Sequence, residues 1–246
     1  MKHRISTARI WTSLLLIGLL LALVESAFSA VGAPKIGGLR VGKVLFLGNS
    51  ITLHGPKPDI GWTGNWGMAA SAAERDYAHL LVAQIAKTAG VAPQMMVKNI
   101  ADFERGYETF DVAAGLKAEM DFGADVVVVA IGENVEEPVS DHAKAKFAVA
   151  FSRLLAGIAG GGKATVFVRG SFWQSPAKDK IMRDASTVAG ATFVEISALG
   201  RDPSNAASAE RKIEHAGVAG HPGDKGMRAI ADALFASIEK RASGEK

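Results

Sequence analysis

Two stretches of the chain, Val44-Leu45-Phe46-Leu47 and Val126-Val127-Val128-Val129, are apolar at every position rather than at alternate ones. A strand with one wet face alternates apolar and polar residues, so unbroken runs of this kind belong in a sheet covered on both faces, and such sheets are parallel with helical crossovers. The remaining periodicities agree. Strands are predicted over 43–48, 94–98, 125–131, 164–168 and 192–196, with the β-branched 125–131 run as the central one. Between them, Tyr77, Leu80, Leu81, Gln84 and Ile85 keep helical spacing up to a stop at Gly90, and Phe147, Phe151, Leu154, Leu155 and Ile158 form a stripe that ends at Gly160-Gly161-Gly162. Further helices are predicted over 107–120 and 177–189, and a last one carries Met227, Ile230, Leu234 and Ile238. Ser71-Ala72-Ala73-Glu74 has the form of a capping box, and Asp224 that of an N-cap for the last helix. Alternating strands and helices without internal repeats call for a three-layer α/β/α sandwich on a parallel five-stranded sheet. One domain over 43–242 is expected, after a lead-in segment at 30–42.

The N-terminus reads differently. Lys2, Arg4 and Arg9 precede an apolar run from Leu14 to Val24, and small residues follow at Ala27, Ser29 and Ala30, which is the layout of a secretory signal peptide over 1–29 cleaved near Ser29. The apolar run falls short of the roughly 20 residues of a membrane span. A secreted or periplasmic protein without stable membrane insertion is therefore expected, an N-terminal anchor being the alternative. Removing 1–29 takes away three cations (Lys2, Arg4, Arg9) and one anion (Glu25), so the formal charge falls from +3 to +1. No cluster of Lys and Arg remains to grip phosphates, so nucleic acid is not an expected partner. The absence of cysteine excludes disulfides, thiol nucleophiles and Cys-ligated zinc. His54, His79, His142 and His215 lack metal-ligand spacing, and no phosphate-binding glycine loop follows the first strand, so neither a metal nor a cofactor is expected.

Three short motifs fall where the carboxyl edge of the sheet should lie, the edge at which open α/β folds bind ligands. Gly48-Asn49-Ser50 follows the first strand, Gly132-Glu133-Asn134 the third, and His221-Pro222-Gly223-Asp224 precedes the last helix. Each alone is ordinary turn chemistry. Together, and in this order, they resemble the SGNH (GDSL-like) hydrolase family, over about 43–240 of the chain. The resemblance implies a flavodoxin-like parallel sheet, an ester substrate, Ser50 as nucleophile, His221 as general base, and Ser50 and Asn134 as donors to the oxyanion. The chemistry requires such a set: a serine hydroxyl needs a base to take its proton, and the tetrahedral intermediate needs fixed donors for its negative oxygen.

The chain departs from the family pattern twice. Where the family places an aspartate three residues before the histidine, this chain has Val218. Either a Ser-His dyad operates, with a backbone carbonyl orienting the imidazole, or Glu214 folds back as the acid. Where the family has a glycine amide after the second strand, this chain has Asn99-Ile100-Ala101, so Ala101, or alternatively Gly67 from the long first loop, is the candidate third donor. Trp62, Trp66, Trp173 and Arg169 fall in or beside loops at the same edge and are candidate substrate contacts. These readings combine into an exported esterase acting on a small acyl group, acetyl foremost, of a small-molecule or carbohydrate ester. A non-catalytic carbohydrate-binding protein on the same fold is the alternative.

Overall fold

The structure is a computed structural model that describes residues 33–244. The signal peptide assigned to 1–29, with its cleavage near Ser29, lies outside the described residues. Within the lead-in segment, β1 (Lys35–Ile36) and β2 (Leu39–Arg40) form a small antiparallel hairpin. The main sheet consists of β3 (Lys43–Gly48), β4 (Gln94–Asn99), β5 (Val126–Ala130), β6 (Thr165–Arg169) and β7 (Thr192–Val194). Its spatial order is β4-β3-β5-β6-β7 with every pair parallel. Counted within this sheet the order is 2-1-3-4-5, the flavodoxin-like winding, and its switch point lies between β3 and β5.

The unbroken apolar runs are explained by the two cores. Val44, Phe46, Val126, Val128 and Phe167 face one layer, where Leu81 and Ile85 of α1 (Tyr77–Ala89) meet residues of the C-terminal helix. Leu45, Leu47, Val127, Val129, Val166 and Val168 face the opposite layer. Burying each such side chain contributes about 1.5–3 kcal/mol.

The segment between β4 and β5 differs from the single helix predicted over 107–120. It holds three short helices, α2 (Ala101–Gly106), α3 (Val112–Gly115) and α4 (Lys117–Asp121). The Asn99 side chain accepts from the Ala101 amide where the chain leaves β4 for α2, and the Asp111 side chain caps α3 by accepting from the Ala114 amide. Past β5 come α5 (Asp141–Ile158), α6 (Pro176–Ala189), α7 (Ser197–Arg201), the one-turn α8 (Ala216–Ala219) and α9 (Asp224–Ser243). Phe147, Phe151 and Leu154 of α5 and Met182 of α6 cover the second face, and Met227, Ile230 and Leu234 of α9 cover the first.

Both predicted caps are corrected. Helix α1 starts at Tyr77 rather than after Ser71, because the buried Asp76 carboxylate accepts from the His79 amide at 2.9 Å. Ser71 instead donates, through its amide and hydroxyl, to Asp224. Asp224 is thereby taken from capping, and Glu210 satisfies the start of α9 by accepting from the amides of Asp224 and Lys225 at 2.8 and 2.7 Å. A carboxylate distant in sequence does the work of a local cap.

Candidate active site

The turn after β3 is tight because Gly48 leaves room for it. A Cβ on Gly48 would lie 2.6 Å from Thr52 Cβ and 2.9 Å from the Ala130 carbonyl oxygen. The chain then folds over Asn49, whose carbonyl accepts from the amides of Thr52 and Leu53 and whose side-chain oxygen accepts from the Ile51 amide. Ser50 is thereby presented at the switch point. Among the described residues its own N–H donates to no protein group.

His221 arrives from the other end of the chain. Ser50 Oγ lies 2.9 Å from His221 Nε2, and His221 Nδ1 lies 2.6 Å from the Gly217 carbonyl oxygen. A carbonyl oxygen only accepts, so Nδ1 carries the proton and Nε2 is left as the acceptor for the serine hydroxyl. The sequence prepares this geometry locally. His215 caps α8 by accepting from the Val218 amide, the helix makes one turn, and an otherwise orphan carbonyl near its C-terminus meets the imidazole four residues on. Burial pushes the His221 imidazole below its ordinary value, outweighing the Gly217 hydrogen bond and the Glu133 charge that pull upward.

Among the described residues no carboxylate takes the place of the acid. Glu214 does not reach the imidazole: its side chain is 86% exposed and pairs with Lys212 at 3.0 Å. Val218, at the position where the family carries its aspartate, is buried in a small cluster with Trp62, Met68, Ala69 and Ala207. Of the two arrangements open from the sequence, the structure contains the one with the backbone carbonyl.

Asn134 shares a cleft of about 310 Å³ with Ser50 and His221, lined also by Met68, Asn99 and Val218. The two further donors expected from the sequence are corrected. The Ala101 amide donates to Asn99 Oδ1 at 2.9 Å, and the Gly67 amide donates to Asp76 Oδ2 at 3.1 Å. One N–H opens a helix and the other closes a loop, so neither points at the cleft. Of the other two expected donors, Ser50 N–H has no protein acceptor among the described residues, and Asn134 Nδ2 donates one N–H to Glu104 Oε2 at 2.7 Å.

Two of the four candidate substrate contacts, Arg169 and Trp62, are corrected as well, both being buried. Arg169 is 0% exposed and forms a bidentate pair with Glu133 at 2.7 and 3.0 Å beneath the site. Trp62 is buried, with its indole donating to the His54 carbonyl, and it packs edge-on against Trp66, whose indole donates to the Ala70 carbonyl. Both indoles pin the long first loop. Trp173 differs, being 39% exposed with its ring edge-to-face on His221 at 5.0 Å.

Below the cleft lies a polar layer that periodicity could not reveal. Asn49 Nδ2 donates to both Glu104 Oε1 at 3.2 Å and Glu133 Oε2 at 2.6 Å, and Glu133 also accepts from the Phe172 amide. Burial alone would raise both carboxyls. Glu133 is nonetheless held below the usual carboxylate range by the Arg169 charge and hydrogen bonds, whereas burial and the Glu133 charge push Glu104 above it. Glu104 was missed because a glutamate in a short helix looks like solvated surface; only the fold buries it.

Comparison with known proteins gives no matching family model and no matching curated protein. Solved structures do match. A structure described as a GDSL-like lipase from Bacteroides uniformis aligns with a TM-score of 0.52 and 16% identity over 80% of this chain and 95% of that one. Another described in the same way, from Bacteroides ovatus, aligns with a TM-score of 0.54 and 13% identity over 81% and 99%. A family two carbohydrate esterase from Clostridium thermocellum, solved with cellohexaose, aligns with a TM-score of 0.52 and 18% identity over 87% of this chain and 67% of that one. The five-stranded parallel sheet of order 2-1-3-4-5, its two helical layers and these alignments give the chain the fold of the SGNH (GDSL-like) hydrolases.

Proposed function

We propose that the protein is an exported serine esterase that removes a small acyl group, acetyl foremost, from a carbohydrate ester. The observation that carries the reading is the continuous chain from Ser50 Oγ through His221 to the Gly217 carbonyl, set in one cleft with Asn134. As Ser50 attacks the acyl carbon, its proton passes to His221 Nε2, and the imidazolium that forms keeps its Nδ1–H on Gly217. The carbonyl oxygen becomes negative and is received by Ser50 N–H and Asn134 Nδ2; each donor of this kind is worth about 10² to 10³ in rate. The intermediate collapses, His221 returns the proton to the departing alcohol, and water repeats the sequence on the acyl-enzyme.

A cleft of about 310 Å³ suits a short acyl chain better than a fatty one. Similarity to a carbohydrate esterase solved with cellohexaose, and the exposed Trp173 beside His221, support a sugar as the alcohol. A carbohydrate-binding protein without catalysis has no use for a hydroxyl on the acceptor nitrogen of a tautomer-locked histidine. The test is reaction of the purified protein with a fluorophosphonate and mapping of the adduct, alongside hydrolysis of p-nitrophenyl acetate and butyrate. Labelling at Ser50 with acetate preferred is expected. Hydrolysis without labelling at Ser50, or no hydrolysis at all, refutes the proposal.

A further inference from the structure

An oxyanion donor lowers a barrier only if its N–H is aimed before the charge develops. The Asn134 side chain is gripped at both ends by consecutive residues of α2. Arg105 Nη2 donates to its Oδ1 at 3.3 Å, and its Nδ2 donates to Glu104 Oε2 at 2.7 Å. Glu104 Oε1 collects three more donors: the Gly132 amide at 2.7 Å, the Asn134 amide at 3.1 Å and Asn49 Nδ2 at 3.2 Å. A single carboxylate, 1% exposed, thus touches the residue before the nucleophile and both ends of the Gly132-Glu133-Asn134 turn. Burying a charge is costly unless it is hydrogen-bonded, and this one is held by four N–H groups that meet at the Asn134 turn.

We infer that Glu104 is a positioning residue for the oxyanion hole: it takes one N–H of the Asn134 amide, fixes which way the amide faces, and leaves the other N–H for the cleft. The inference rests on the esterase reading. It also accounts for the departure from the family pattern at Ala101. With that amide occupied, α2 serves the oxyanion through a side chain that holds Asn134 rather than through its own backbone.

The experiment compares Glu104→Gln, Glu104→Asp, Asn134→Ala and the double variants on one acetyl ester, with kcat and KM separated and cooperative unfolding confirmed for each. Wild-type turnover and labelling of Ser50 report on the esterase reading separately. Glu104→Gln turns one acceptor into a donor facing N–H groups, and is expected to lower kcat about ten- to a hundredfold with KM within about twofold. The affinity of a small alkylboronic acid, whose tetrahedral adduct on Ser50 fills the oxyanion position, should fall with kcat. Added to Asn134→Ala, the same change should cost almost nothing further, because the group it positions is gone. Glu104→Asp keeps the charge with a shorter reach and should lie between; if Glu104→Gln does not fold, the cycle of Glu104→Asp with Asn134→Ala decides. Wild-type kcat in a folded Glu104 variant, or losses that multiply in the double variant, overturns the inference while leaving the esterase reading intact.

Discussion

His221 Nδ1 and the Gly217 carbonyl oxygen are 2.6 Å apart, so the imidazole is oriented by main chain four residues upstream. The partner cannot be protonated, cannot be removed by a side-chain substitution, and lies in the same one-turn helix that brings Val218 into the core. A carbonyl dipole fixes the tautomer as a carboxylate would, but offers the imidazolium only a partial negative charge.

The dyad predicts a sharp asymmetry between two substitutions. Glu214→Gln should change kcat by less than about tenfold, or ~1.4 kcal/mol, because its carboxylate faces solvent and Lys212. His221→Ala should nearly abolish turnover. The measurement is kcat/KM of both folded variants on one acetyl ester, and a loss above a hundredfold in Glu214→Gln would refute the dyad.

The pH dependence follows from the burial of His221. Only the neutral imidazole accepts the serine proton, and burial disfavours the charged form, so the base persists to lower pH than an exposed histidine would. The acid limb of kcat/KM should have its midpoint below 6.5, the ordinary histidine value. The same shift bears on stability. As pH falls through the ordinary range the unfolded chain binds this proton first, so this contribution is intact above it and is lost toward the lower folded value. A limb at or above 6.5 contradicts the prediction.

Asn49 Nδ2 donates to two buried carboxylates at once, Glu104 and Glu133. Asn49→Asp removes that donor and adds a third carboxyl, so it should destabilise the fold by about 3 kcal/mol or more at neutral pH. Part of the loss should return on mild acidification as a carboxyl takes up a proton. Denaturant unfolding at two pH values checks both, and wild-type stability in the variant would mean that the carboxylates are not held as described.

The tryptophans should separate by role. Trp62→Ala should lower stability by about 3–5 kcal/mol, as expected for emptying a buried site. Trp173→Ala should leave stability nearly unchanged and lower kcat severalfold, since an edge-to-face pair is worth about 0.5–1.5 kcal/mol. Thermal unfolding and kinetics on the pair are decisive; equal stability losses would contradict the assignment.

The layered fold and its five strands were legible from residues 43–48 and 125–131 onward, because a doubly covered strand must be apolar throughout and its long helices must carry a 3.6-residue stripe, whereas the three short helices between β4 and β5 carried no such stripe. Ser50, Asn134 and His221 were singled out by the family resemblance of their three motifs taken together, and the fold brings them to one cleft. What periodicity could not supply is which polar group meets which. Arg169, a candidate substrate contact from the sequence, is buried on Glu133; Glu104, which no sequence motif marks, hydrogen-bonds Asn134; Glu210 caps a helix that begins fourteen residues later. Hydrophobic burial acts through composition along one segment and leaves a pattern there. A hydrogen bond depends on two directions and a distance of about 3 Å between groups far apart in the chain, and only the packed tertiary structure brings those into being.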